Sequence, residues 1–141
     1  MTEYTTHTEA ETEAVGRTLG RTLSAGSAVL LHGPLGAGKT AFARGLAEGL
    51  GCNPDDVSSP TFTIVQEYPG PVVLQHVDLY RLSPIEVDDL ALEDLWDGCV
   101  LAVEWPDRWL RRPDDAIDVE IEPTGDTERK IRIRDRGNRV S

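Results

Sequence analysis

The sequence predicts an α/β fold, with a mixed central sheet flanked by helices in one compact domain. Three observations carry this. A short apolar run, a glycine-rich stretch and an amphipathic run follow one another over residues 27–50, which is the order strand, loop, helix. Two pairs of strand-like segments are each joined by a turn rich in Pro or Gly, so antiparallel hairpins add to that unit. The 141 residues suit one domain and leave no room for two ordinary ones.

The elements follow in order. Thr8-Glu9-Ala10-Glu11 has the form of a capping box, and Val15, Leu19 and Leu23 continue at helical spacing, so residues 9–24 are expected to be a helix with Gly26 as its stop. Ser27 to His32 is short and apolar, as a buried strand is. Gly33 to Gly38 forms the loop. From Lys39 the pattern is helical, with Phe42, Leu46 and Leu50 on one face and Gly51 at the end. Residues 58–65 begin as a loop and become a strand. Phe62, Ile64, Gln66 and Tyr68 share one of its faces. Pro69-Gly70-Pro71 turns the chain into a second strand, Val72 to Val77, which ends at Asp78.

Residues 84–97 hold six acids and no base, interleaved with Ile85, Leu90, Leu92 and Leu95. One or two short helices with a solvated acidic face fit that pattern. Cys99 to Val103 is an apolar strand that ends at Glu104. Residues 116–122 and 128–134 alternate around Pro123-Thr124-Gly125-Asp126, which predicts a hairpin with one wet face. Residues 127–141 carry six bases against two acids, a locally basic strand and tail.

Composition narrows the function. Apolar residues at 39% and charged residues at 28% support a globular core. A formal charge of −11 repels a nucleic-acid backbone, so DNA binding and solitary tRNA binding are disfavoured. The start, Met1-Thr2-Glu3-Tyr4, shows no signal-peptide pattern, and no apolar run spans a bilayer. Cys52 and Cys99 stand apart and suit two buried free thiols. The expectation is a soluble, cytoplasmic domain without membrane attachment.

The chemistry centres on Gly33-Pro34-Leu35-Gly36-Ala37-Gly38-Lys39-Thr40, which matches G-x-x-x-x-G-K-[ST]. A chain of this composition would hold such a match by chance roughly two times in a thousand. A loop that wraps phosphates must turn its N–H groups inward, which favours residues without Cβ clashes. The helix that follows aims its positive end at the same anion. Lys39 supplies a mobile charge for the outer phosphates, and Thr40 a hydroxyl for Mg²⁺. The chain has twelve Arg but two Lys, and one of the two is here.

Mg²⁺ on phosphates also needs an acid at the end of a neighbouring strand. Glu104 and Asp78 both qualify. Glu104 follows the more apolar strand and is the first choice for the metal; Asp78 would then stand near the metal or the attacking water. Thr61, in Ser58-Ser59-Pro60-Thr61, could sense the terminal phosphate or belong to an ordinary turn. Trp105 could pack beside the nucleotide or cap the core. Neither NKxD nor DxxG occurs, so ATP is expected rather than GTP. No arginine finger is evident near the loop.

The glycine loop, then SPTFT, HVDLYRL and VEWP, in that order and in so short a chain, resemble the TsaE (YjeE) family over about residues 8–125. The resemblance implies a P-loop ATPase of tRNA threonylcarbamoyladenosine synthesis. It implies that Lys39 and Thr40 bind ATP–Mg²⁺, that Glu104 is the metal acid, and that Asp78 and Thr61 are active-site positions. It also implies partnership with a TsaB–TsaD complex, which acts on adenosine 37 and presents the tRNA. This chain departs in opening its loop with Gly-Pro and in its Arg-rich tail, a stretch (Arg129 to Arg139) where a partner could dock. With no arginine finger near the loop, slow ATP hydrolysis by the isolated protein is expected. Two other readings stand beside this one: a small ATP-dependent kinase, and a nucleotide-gated binding module without useful catalysis.

Overall fold

Continuous apolar strands belong in the middle of a sheet, where helices cover both faces. The two most apolar runs of this chain do occupy that place in the computed structural model, which describes residues 1–56 and 64–135. Strands β1 (Thr2–Thr6), β2 (Ala28–His32), β3 (Val65–Tyr68), β4 (Leu74–Asp78), β5 (Val100–Glu104), β6 (Ile117–Pro123) and β7 (Arg129–Asp135) form one seven-stranded sheet. Its order is β1-β7-β6-β2-β5-β4-β3. Strand β2 runs parallel to β5 and β6, and β4 parallel to β5; the other three neighbouring pairs are antiparallel. The sheet is mixed, as expected, and both predicted hairpins form.

Helices α1 (Glu9–Gly20) and α2 (Lys39–Gly49) cover one face. There Val29, Leu31, Val100 and Ala102 meet Phe42 and Leu46 in a closed core. On the other face Leu30, Leu101, Val103 and Val77 meet Val87 of α3 (Pro84–Asp89), Leu92 of α4 (Leu92–Trp96) and Trp109. Alternate residues of each central strand thus serve opposite layers, the period-two rule of a pleated strand. In β6 the alternation leaves Glu120 and Glu122 exposed while Val119 and Ile121 are buried, so its one wet face is present.

Three details differ from expectation. Strand β1 was not anticipated; it pairs antiparallel with β7 and forms a sheet edge. Helix α1 ends at Gly20, four residues before the expected end at residue 24. There Thr22 Oγ1 donates to the Leu19 carbonyl, and Thr22 and Leu23 close a tighter turn on Leu19 and Gly20. The capping box is shared: the Thr8 hydroxyl accepts from the Glu11 N–H, but the Glu11 carboxylate accepts from His7 N–H rather than from Thr8. Both cysteines are free; Cys52 is buried and Cys99 half-buried. No helix among the described residues is long and apolar enough to cross a membrane.

The pairing of α1 with α2 sets where the glycine loop sits. Their backbones meet through Gly16 and Gly20 on one side and Gly45 and Gly49 on the other. A Cβ on Gly45 would lie 2.0 Å from the Glu13 carbonyl oxygen, and one on Gly16 2.2 Å from that of Phe42. Neither neighbour is a flexible side chain, so the helices could accept a methyl only by moving apart. Gly45→Ala separates two opposing effects. Helix propensity alone would add about 1 kcal/mol of stability, while overpacking would remove about 1–3 kcal/mol or more. Urea unfolding should show a net loss of about 1 kcal/mol or more; a stabilised variant would refute the close contact.

Candidate functional site

In a parallel sheet, loops that leave the carboxyl ends of neighbouring strands converge. Here the ends of β2, β5 and β4 bring together the glycine loop, Glu104 and Asp78. Asp78 and Glu104 are direct neighbours in the ladder, and Glu104 stands beside Leu31 on the other side. Every described residue expected at the site lies at this edge: Gly33, Leu35, Gly36, Ala37, Gly38, Lys39, Thr40, Asp78, Glu104 and Trp105. Thr61 lies outside the described residues.

The loop is shaped by its backbone. Gly38 adopts φ 109°, a left-handed conformation, and caps α2 without a side-chain hydrogen bond. A helix start without a side-chain cap leaves first-turn N–H groups for an external acceptor. The Ala37 N–H closes on the Pro34 carbonyl, which tightens the turn. Thr40 is exposed at that first turn, whereas Lys39 is buried.

Lys39 is 4% exposed. Its ammonium donates to the Gly33 carbonyl at 2.6 Å, stands 3.8 Å from Glu104 Oε1, and lies 4.3 Å from the centre of the Trp105 ring. Burial lowers its pKa from the ordinary lysine value, and the carboxylates of Glu104 and Asp78 offset part of that fall. The ring contact is a cation–π interaction in a desolvated place, where such contacts are strongest.

Glu104 is 7% exposed and also accepts from His76 Nε2 at 2.6 Å. Asp78 is exposed, and its Oδ1 accepts from the Tyr80 N–H at 3.0 Å. Trp105 turns the chain out of β5 with φ 60°, a conformation that costs a non-glycine residue roughly 1–2 kcal/mol. That turn sets its ring against Lys39 and 5.0 Å from the ring of Tyr80. The ring also packs on the second core cluster, which is the core-capping role considered for it.

Two arginines border the site, and both are turned onto backbone carbonyls. Arg129 donates to the carbonyls of Ala37 at 2.9 Å and Gly36 at 3.4 Å. The peptide unit that carries the Ala37 carbonyl also carries the Gly38 N–H, which a trans peptide points the opposite way. Arg129 therefore helps aim that N–H. Arg108 donates to the carbonyls of Leu79, Tyr80 and Leu82 and lies 5.8 Å from the Trp105 ring. Both guanidiniums are engaged on backbone. The basic strand is also less free than its composition suggests, since Arg132 pairs with Glu3 and Glu122.

Beside Gly36, Gly38 and Ala41 lies a cleft of about 410 Å³, lined by His7, Thr8, Thr12, Asp126, Thr127 and Arg129. Its size suits a small organic ligand. None of these residues was singled out as a site residue from sequence. They come from the two ends of the chain, and no spacing rule connects residue 8 with residue 129. The β1–β7 pairing brings them together.

The donor set fits a magnesium–triphosphate group. Oxygen ligands of hard character (Thr40, Glu104, Asp78) surround a helix start and a lysine, as such a group requires.

Comparison with known proteins agrees with this architecture. A family model described as threonylcarbamoyl adenosine biosynthesis protein TsaE matches residues 6–131. A tRNA threonylcarbamoyladenosine biosynthesis protein TsaE from a Nostoc species is 46% identical over 111 residues, which cover 74% of this chain and 68% of that one. The protein of the same name from Bacillus subtilis is 40% identical over 132 residues, covering 92% and 82%. The crystal structure of Bacillus subtilis YdiB superposes with a TM-score of 0.80 at 34% identity, over 98% of this chain and 87% of that one.

Two measurements check the geometry. Arg129→Ala should raise the dissociation constant for nucleoside triphosphate about tenfold, as loss of a charged hydrogen-bond donor does; calorimetry reads it. Binding of triphosphate should draw the Lys39 ammonium off the indole and change Trp105 fluorescence, and Trp105→Phe should abolish that change.

Proposed function

The chain belongs to the TsaE family of tRNA threonylcarbamoyladenosine biosynthesis, and from that premise we propose that it is a P-loop ATPase domain, residues 1–141, that hydrolyses Mg–ATP in support of the TsaB–TsaD complex. One observation carries the reading: a buried lysine at a glycine loop faces two strand-end carboxylates across the carboxyl edge of the sheet.

The residues take distinct parts. The first-turn N–H groups of α2 and the Gly38 N–H cradle phosphate oxygens, and Lys39 leaves the Gly33 carbonyl for the outer phosphates. Bound Mg²⁺ would neutralise phosphate charge and fix its geometry. Thr40 offers it a hydroxyl, and Glu104 holds its water shell. Asp78, one ladder position away and exposed, accepts a hydrogen bond from the attacking water. Thr61 is assigned to sense the terminal phosphate. The nucleoside end takes the cleft of His7, Thr12 and Arg129, beside Gly36, Gly38 and Ala41. Trp105 shields the lysine end from water. The two nearby guanidiniums are engaged on carbonyls, so turnover by the isolated protein is slow and its acceleration belongs to the partner complex. With a charge of −11 the protein meets tRNA through that complex and not by itself.

Release of inorganic phosphate from ATP, with and without TsaB–TsaD, tests this. The expected result is slow solitary turnover, acceleration by the complex, and a loss of roughly a hundredfold in Glu104→Gln and Asp78→Asn. A phosphorylated product instead of free phosphate would show a kinase. Unimpaired modification with both variants would show a nucleotide-gated module.

A further inference from the structure

The buried half of β4 carries a histidine that the scheme above leaves unassigned. His76 is 4% exposed. It pairs with Ala102 across the ladder, so it lies on the same sheet face as Glu104, two residues further along β5. Its Nε2 stands 2.6 Å from Glu104 Oε2, while Lys39 Nζ approaches the other oxygen, Oε1, at 3.8 Å. A carboxylate accepts only, so the proton of the short bond sits on Nε2 and His76 is the donor. The two oxygens of one buried acid are thus divided between two elements: a fixed ring on β4 and a long mobile side chain on α2.

That division matters because the two partners differ in freedom. A glutamate has three side-chain torsions and, without a partner, could turn its carboxylate either way. The imidazole is buried, on the sheet face that Leu74 and Ala102 share with the first core layer. The lysine must depart when phosphates arrive. What remains on Glu104 is then the bond to His76. We propose that His76 is a positioning residue: it holds Oε2 so that Oε1 stays turned toward the loop, where the water shell of a nucleotide-bound Mg²⁺ meets it. This rests on the reading of Glu104 as the metal acid. Groups that orient a metal's acid from behind commonly change metal affinity by about 10- to 100-fold when removed.

The full-length protein, loaded with a non-hydrolysable ATP analogue, is titrated with Mg²⁺ by calorimetry. Analogue binding in EDTA is measured alongside, and thermal unfolding verifies folding. His76→Leu removes the donor. His76→Asn keeps an amide but places its nitrogen near the Nδ1 position, short of Glu104. His76→Gln carries its amide nitrogen to the Nε2 position. The Leu and Asn variants should raise the Mg²⁺ needed for half-saturation about tenfold and leave binding in EDTA unchanged. His76→Gln should return to within about twofold of the native value. Should the Leu variant fail to fold, the Asn and Gln pair decides. An unshifted Mg²⁺ titration in His76→Asn, or a Gln variant as impaired as Asn, overturns the proposal. Glu104→Gln separates the two levels: if it shifts the titration while His76→Asn does not, positioning alone fails; if it leaves the titration unchanged, the metal reading of Glu104 fails and the role of His76 with it.

Discussion

A buried ammonium must be compensated, because charge removed from water is stable only with partners at hand. Lys39 imposes that condition on this molecule. Its compensation comes from three directions at once: a carbonyl of its own loop, a carboxylate on β5 and the face of an indole. Each partner has its own requirement. The carboxylate is itself buried and takes a histidine. The indole is delivered by a residue in a left-handed conformation that only a well-determined surrounding would retain. The arrangement is self-neutralising at rest, and it places around the lysine the same groups that a magnesium–phosphate ligand would engage. The site is organised in advance, so such a ligand would exchange partners instead of building a pocket.

Organisation in advance needs a rigid frame, and the frame is a pair of helices in backbone contact. With glycines on both sides of the α1–α2 seam, carbonyls of one helix sit where side chains of the other would be. Such a seam tolerates little sliding. It ties the start of α2, and with it the loop, to α1. From there it reaches β1 through the buried hydroxyl pair of Thr6 and Thr12 at 2.8 Å. The edge strand and the glycine loop are therefore joined by a short chain of contacts.

Much of this could be read from the residues. The apolar runs 27–32 and 99–103 announced buried strands, because strands covered on both faces need no polar positions. The loop motif identified itself by spacing. Strand-end acids followed from the rule that β5 and β4 stop where their apolar runs stop. The parts that escaped have physical reasons. Strand β1 is short, polar and at an edge, so it bears no burial pattern. The early end of α1 reflects packing and a local threonine bond, neither of which periodicity encodes. Arg129 and His7 joined the site through strand order alone. His76 was one of three scattered histidines until the register placed it beside Glu104.

The order of the strands has a consequence for how the molecule is made. The loop is synthesised early, yet the guanidinium that braces its carbonyls follows Ala37 by 92 residues, and β1 must wait for β7. A chain emerging from the ribosome holds the phosphate motif long before it holds the shape that the motif requires. The brace on the loop thus arrives only with β7, and a chain cut between the two holds the motif without the guanidinium on Ala37.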